Sequence, residues 1–349
     1  MIRHFLHLGF GYWSGTPRRD AWIFSVGFLA CLIFSLILAL EVNRWSKRFF
    51  DALELRQADV VTRGMAELGL LVGATAIVAI ATIQCRMRLQ LGWRMWLTSK
   101  LVERWLEKGI SDNFAISNAI DNPEARIADD VRLAIELFVD LAGGVVNIFL
   151  FSASFIVVLW NVGGAHEIFG LAVPGYLVFA VIIYTVVTTL GMLILGKPLV
   201  ESVEEKAAAE GNFRFALTQA REMLDQTHVS GDGDNDARDF RGSLRRLATK
   251  WIAVISGQTR IVFLSSANNL LAPAVPLFLS APKYLEGVMT LGDLIQAAAA
   301  FVSVQTSLNW LADNALSIAN WSASANRVAA LDLDMDRRAL TALHENTRS

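Results

Sequence analysis

A chain of 349 residues with 54% hydrophobic and only 18% charged side chains, and a mean hydropathy of +0.43, is too apolar for an ordinary water-soluble domain. Its net charge of −2 offers no basic excess for a nucleic-acid partner, and its five histidines are scattered without ligand spacing, so no metal or other cofactor is expected. Cys31 and Cys85 both fall in apolar segments and read as small hydrophobes rather than redox or disulfide residues.

Residues 1–20 mix Phe5, Leu6, Leu8, Phe10, Tyr12 and Trp13 with Arg3, His4, Arg18 and Arg19. That composition suits a segment lying in the membrane interface, and equally a disordered lead-in. Residues 21–42 carry no charge before Glu41 and match the roughly 20 apolar residues that cross a hydrocarbon core. No small-residue cleavage pattern follows, so this first span is expected to stay as an anchor. Residues 43–67 read as a loop of five basic and four acidic residues. A second span is expected over 68–85, rich in Ala and Gly that let helices approach closely.

Residues 91–136 are too charged for lipid, yet Trp93, Trp96, Leu97, Leu101 and Trp105 recur on one helical face. The stripe calls for a protein partner. Asn122-Pro123 then ends one helix and starts another, with Asn122 as N-cap, Pro123 at the first helical position and Glu124 where the helix dipole favours an anion.

Further spans are expected at 137–162, 168–196, 261–279 and 294–319, followed by a polar tail over 332–349. The fourth is interrupted only by Pro174. The fifth contains Asn268, Asn269, Pro273 and Pro276, which predict a kink or local unwinding; the sixth contains Gln305, Asn309, Asp313 and Asn314. Residues 197–258 form a polar helical excursion with a turn at 231–236. Six spans leave both termini on one side. Eight Lys and Arg in 86–137 and nine in 197–258, against none in 163–167, make that side cytoplasmic. The basic residues of 43–67 run against this assignment and are offset by their acidic neighbours.

The run WRMWLTSKLVERWL followed by DNPEARIADDVR resembles the membrane domain of bacterial ABC half-transporters related to the peroxisomal fatty-acyl transporters. It also resembles the SbmA/BacA peptide transporters similar to them. EVNRWSKRFFDALELR (41–56), EGNFRFALTQARE (210–222) and residues 291–331 fit the same pattern, so the resemblance covers nearly the whole chain. It implies an all-α membrane protein with an ABC exporter-type transmembrane domain of six helices with long cytoplasmic extensions. It further implies a domain-swapped homodimer around a shared cavity in the bacterial inner membrane. A nucleotide-binding domain would need a G-x-x-x-x-G-K-[ST] loop, whose amides cradle phosphates while the lysine reaches them. The 349 residues contain none: the single Gly-Lys pair, Gly196-Lys197, is followed by Pro198. That shifts weight toward the SbmA/BacA-like branch, which the resemblance implies imports peptides or other bulky solutes on the proton gradient. The alternative is the membrane subunit of an ATP-driven transporter whose ATPase is a separate chain.

Proton coupling requires acids that titrate between facing states. Candidates are Glu41 at the end of the first span, Glu136 and Asp140 entering the third, and Asp313 in the sixth, where Asn309 and Asn314 imply a wet cavity or a partner. Glu41 and Glu136 are also explained as span-end acids satisfied by solvent or arginine. Asn122, Pro123, Arg126, Asp129 and Asp130 form a first gating or coupling elbow, or a capped turn in which Arg126 pairs with Asp129 or Asp130. Asn212, Phe213, Arg214, Arg221 and Glu222 form a second, although MLDQTHVSGDGDND stands where the family pattern has an Ala/Ile-rich run. No nucleophile–base pair points to an enzyme.

Overall fold

Helices that outrun the bilayer dominate the chain. The computed structural model describes residues 1–15, 18–111, 123–168, 171–226 and 233–346. In order these are α1 (Ile2–Ser14), α2 (Arg18–Glu54), α3 (Ala58–Ser111), α4 (Pro123–Ala125), a π-helical turn (Arg126–Asp130), α5 (Val131–Gly163), a β-hairpin, α6 (Tyr176–Gln226), α7 (Gly233–Leu285), α8 (Leu291–Asp313) and α9 (Ala315–Asn346). At 1.5 Å per residue, α3, α6 and α7 are each about 75–80 Å long, more than twice the ~30 Å hydrocarbon core. Five helices among the described residues are long and apolar enough to cross a membrane: α2, α3, α5, α6 and α7. α8 is not among them, because Gln296, Gln305 and Asn309 interrupt its apolar run. It lies instead among α2, α5, α6 and α7.

α2 pairs with α3, and α6 with α7. One apolar core joins α1, α3, α5 and α9 through Phe5, Tyr12, Trp93, Leu97, Ile135 and Val328. A second joins α2, α5, α6 and α8 through Leu36, Phe155, Leu177, Val181, Phe301 and Val304. The first core answers the need of the tryptophan stripe for a partner. Trp93, Leu97 and Leu101 are buried, and α1 supplies Phe5 and Tyr12 against Trp93. The first fourteen residues are therefore a packed helix, not a disordered lead-in.

Several boundaries differ from the sequence expectation. The loop over 43–67 is mostly helix: α2 continues to Glu54 and ends with Arg56 in the left-handed region at φ 57°. Its amide donates to the Leu53 carbonyl at 3.1 Å and the Gln57 amide to Ala52 at 2.9 Å, which caps the last carbonyls. The helix of the expected fourth span begins at Tyr176, and a short β-hairpin precedes it in an otherwise all-α fold. Ala165–Ile168 pairs antiparallel with Leu171–Pro174, with Ala165 opposite Pro174. Gly164 (φ 59°) and Gly175 (φ 65°) close its base, where the Gly175 amide donates to the Gly164 carbonyl at 2.8 Å. The fifth span is not unwound. α7 runs unbroken through Pro273, Pro276 and Pro282, with Ala272, Pro276 and Ser280 buried at four-residue intervals against its neighbours. The helix expected as a sixth span breaks at Asn314, whose side-chain amide donates to the Trp310 carbonyl at 2.9 Å, and α9 continues to Asn346 in place of a simple tail.

Candidate functional site

The elbow that follows α3 in sequence and leads into α5 is built by the π-helical turn. A π turn widens the helix by one residue per turn and re-aims its side chains. Here it buries Ile127 and Asp130. Arg327 of α9 then donates from Nε and Nη2 to the two Asp130 oxygens at 2.8 and 2.6 Å, and from Nη2 to Ser324 Oγ at 3.0 Å. The hydrogen bond to Asp130 and its negative charge hold the Arg327 guanidinium still further above its ordinary value, against a smaller opposing effect of burial. The π turn points Asp130 inward, so it makes a long-range pairing with α9 that the spacing of Arg126, Asp129 and Asp130 does not suggest. Asp129 remains exposed, 3.9 Å from Arg132. Pro123 opens α4 as expected, whereas Asn122 lies outside the described residues.

A second polar knot ties α1, α3 and α9. Asp332, buried, accepts from His4 Nε2 at 2.9 Å and from Arg104, which also reaches Asp336. None of these residues stands out in the sequence, since the partners come from opposite ends of the chain.

The candidate acids are dispersed. Glu41 pairs with Arg44 at 2.6 Å, one turn along an exposed face of α2. Glu136 pairs with Arg132 at 3.3 Å. Asp140 bridges to α3, taking hydrogen bonds from Gln90 at 2.8 Å and Arg86 at 3.2 Å. Asp313 is exposed at the last position of α8. Asn309 accepts from Thr189 of α6 at 3.0 Å. One turn earlier, Gln305 donates to Asn268 Oδ1 at 3.2 Å, which also accepts from the Tyr184 hydroxyl at 2.9 Å. The structure therefore brings amides of α7 and α8 together with hydroxyls of α6 but does not gather the four acids. Asn212 and Arg214 are exposed on the far part of α6, with Arg221 also exposed and Phe213 half-buried; the Glu222 side chain lies outside the described residues.

At the opposite end of the bundle, α2 is fastened to the start of α8. Asn43 and Gln296 exchange amide hydrogen bonds, Lys47 pairs with Asp293 at 2.5 Å, and Asp51 and Glu54 accept the Gly292 and Leu291 amides, each at 2.9 Å. These four α2 residues share one face, and the two carboxylates meet the positive end of the α8 dipole.

Long paired helices that overshoot the bilayer, intramembrane amides and a helical elbow on the excursion define the membrane domain of a transporter. The comparison with known families agrees: residues 15–283 match the family described as ABC transporter transmembrane region 2, which takes in the SbmA/BacA-like proteins, and the chain belongs to that family. It is 23% identical over 317 residues to the Escherichia coli inner membrane ABC transporter ATP-binding protein YddA, covering 89% of this chain and 56% of that one. It is 24% identical over 308 residues to an uncharacterized ABC transporter ATP-binding protein of Synechocystis, covering 87% and 45%. With the chloroplastic ABC transporter D family member 2 of Arabidopsis thaliana it shares 20% identity over 325 residues, covering 92% and 44%. The chain spans about half the length of the curated relatives it matches.

Proposed function

We propose that the chain forms one half of a homodimeric bacterial inner-membrane transporter, with six spans and both termini cytoplasmic, that imports peptides or other bulky solutes on the proton gradient. The observation that carries the transporter assembly is apolar surface beyond the bilayer. On the cytoplasmic extensions of α6 and α7, Val200, Val203, Phe215, Leu217, Leu244 and Trp251 are exposed within one protomer. Apolar side chains on a helix surrounded by water need a protein cover. A second protomer exchanging these extensions supplies it and encloses a central cavity.

Proton drive is supported by the position of two carboxylates. Asp140 links α3 to α5 through Arg86 and Gln90, so its protonation removes the charge that holds the two helices together. Asp313 is exposed at the last position of α8, one turn beyond Asn309, where a proton from solvent can reach it. The second reading, an ATP-driven system with the ATPase on another polypeptide, is favoured by the ATP-binding names of the relatives and their greater length.

Uptake of labelled peptides of mixed sequence into proteoliposomes, with an imposed proton gradient and no nucleotide, tests the proposal. Uptake abolished by a protonophore and reduced at least tenfold in Asp313→Asn is expected. Uptake only with an added ATPase chain and ATP would establish the second reading.

A further inference from the structure

Two of the amides singled out in the sequence, Asn269 and Gln305, line a cavity of about 510 Å³ between α7 and α8, walled also by Pro273, Ala299, Val302 and Thr306 among others. Its volume falls within the range of small-molecule sites, and none of its lining residues is charged. Asn269 and Thr306 are exposed in one protomer, Asn269 on the apolar stretch of α7 and Thr306 on α8, which packs against it. Facing hydrocarbon, an amide and a hydroxyl would lose their hydrogen bonds to water without replacement, which costs several kcal/mol per group. They therefore face a watered path or a bound solute.

Two features fit the walls to hydrogen-bond a solute. Gln305 is buried and held by Asn268, itself fixed by Tyr184, so its amide is positioned before any solute arrives. Pro273 and Pro276 carry no N–H, and in a helix that donor would have bonded the carbonyl four residues earlier. The carbonyls deprived of it belong to Asn269 and Ala272, both in the cavity wall. The two prolines thus withhold the helical N–H partner from two carbonyls of cavity-lining residues.

We infer that this cavity is the solute-contact site and that it takes the backbone of an extended, uncharged peptide segment, whose N–H groups bond the carbonyls freed by Pro273 and Pro276 and whose C=O groups meet Asn269, Gln305 and Thr306. The inference rests on the transporter reading for its purpose and on the cavity for its chemistry. Selection here is by N–H donors: a backbone without them, such as an N-methylated one, finds no partner for the freed carbonyls.

The test uses the full chain in proteoliposomes, with Cys31→Ala and Cys85→Ala, and Thr306→Cys labelled by a maleimide. Two probes are compared, an alanine-rich nonapeptide and the same sequence N-methylated along its backbone, alongside uptake of both by the wild-type chain. The alanine-rich peptide is expected to protect Thr306→Cys at about tenfold lower concentration than its N-methylated form, the factor carried by about one hydrogen bond. Pro273→Ala, which restores a helical N–H, is expected to reduce that preference at least threefold while the helix stays intact. Wild-type uptake with no protection, or with equal protection by both peptides, overturns the inference and leaves the transporter reading standing. Selective protection without uptake under any gradient supports the site and overturns the proton-driven form of that reading. Neither protection nor uptake overturns both.

Discussion

Arg327 of α9 grips both carboxylate oxygens of Asp130, 197 residues away in sequence, at 2.8 and 2.6 Å. The pair joins the π-helical turn ahead of α5 to α9, the helix that follows α8.

Bidentate charge-assisted bonds of this kind are stronger than neutral ones, and Asp130 is buried. Asp130→Asn or Arg327→Ala is expected to destabilise the protein by about 2 kcal/mol, and the double variant by less than the sum of the two. Thermal unfolding of the four proteins in detergent checks this; strictly additive losses would mean that the bond contributes nothing of its own.

Gly144 lets α5 approach α8, since a methyl group there would meet the Trp310 indole. Gly144→Ala is expected to cost about 1–3 kcal/mol by overpacking. Adding Trp310→Leu should recover part of the loss in the same melting experiment, an outcome that a purely conformational effect of glycine would not produce.

The fastening of α2 to α8 carries a pH signature. Burial pushes the Asp293 carboxyl up, but hydrogen bonds from Lys47 and from the Thr290 amide and hydroxyl, with the Lys47 charge, outweigh it and hold the group below the ordinary carboxylate value. A depressed folded-state pKa stabilises the fold above the unfolded value of about 3.9 and loses that contribution as pH falls through the folded value. The melting advantage of wild type over Asp293→Asn should therefore be constant above about pH 5 and decline below about pH 4. An advantage unchanged at pH 3 would contradict the assignment.

Lys283, buried, donates from Nζ to the Gly163 carbonyl at 2.6 Å and lies 5.0 Å from the centre of the Tyr176 ring. It pins the base of the hairpin to the end of α7. Lys283→Met leaves the Gly163 carbonyl without that donor, at a cost of about 1–3 kcal/mol. Proteolysis near residues 163–176 should become faster in this variant and not in Lys250→Met, whose exposed pairing with Glu205 contributes little.

Features with a local pattern were legible in the sequence. The Trp93–Leu97–Leu101 stripe announced a protein partner, and Pro123 marked a helix start. The partner itself, Phe5 and Tyr12 of α1, was not legible, because no spacing rule joins residues about eighty positions apart. Asp130 was noticed, but its bond to Arg327 was not legible, because spacing rules offer only neighbours on the same helix such as Arg126 and say nothing of a residue 197 positions away. His4 and Asp332 are 328 residues apart and left no trace at all. The hairpin was missed because Ile168 to Pro174 is apolar and continues smoothly into α6, so hydropathy merges the two. Asn268 and Gln305 were noted only as polar residues in spans; that they bond one another depends on the packing of α7 against α8.

The most direct test of proton-driven import is the pH inside right-side-out proteoliposomes, followed with an entrapped pH-sensitive dye while peptide is added outside without nucleotide. Proton-coupled import predicts that the lumen acidifies in step with peptide uptake, and that the acidification is lost in Asp313→Asn. Peptide entry with no change in internal pH, or entry that begins only when an ATPase chain and ATP are supplied, would contradict it.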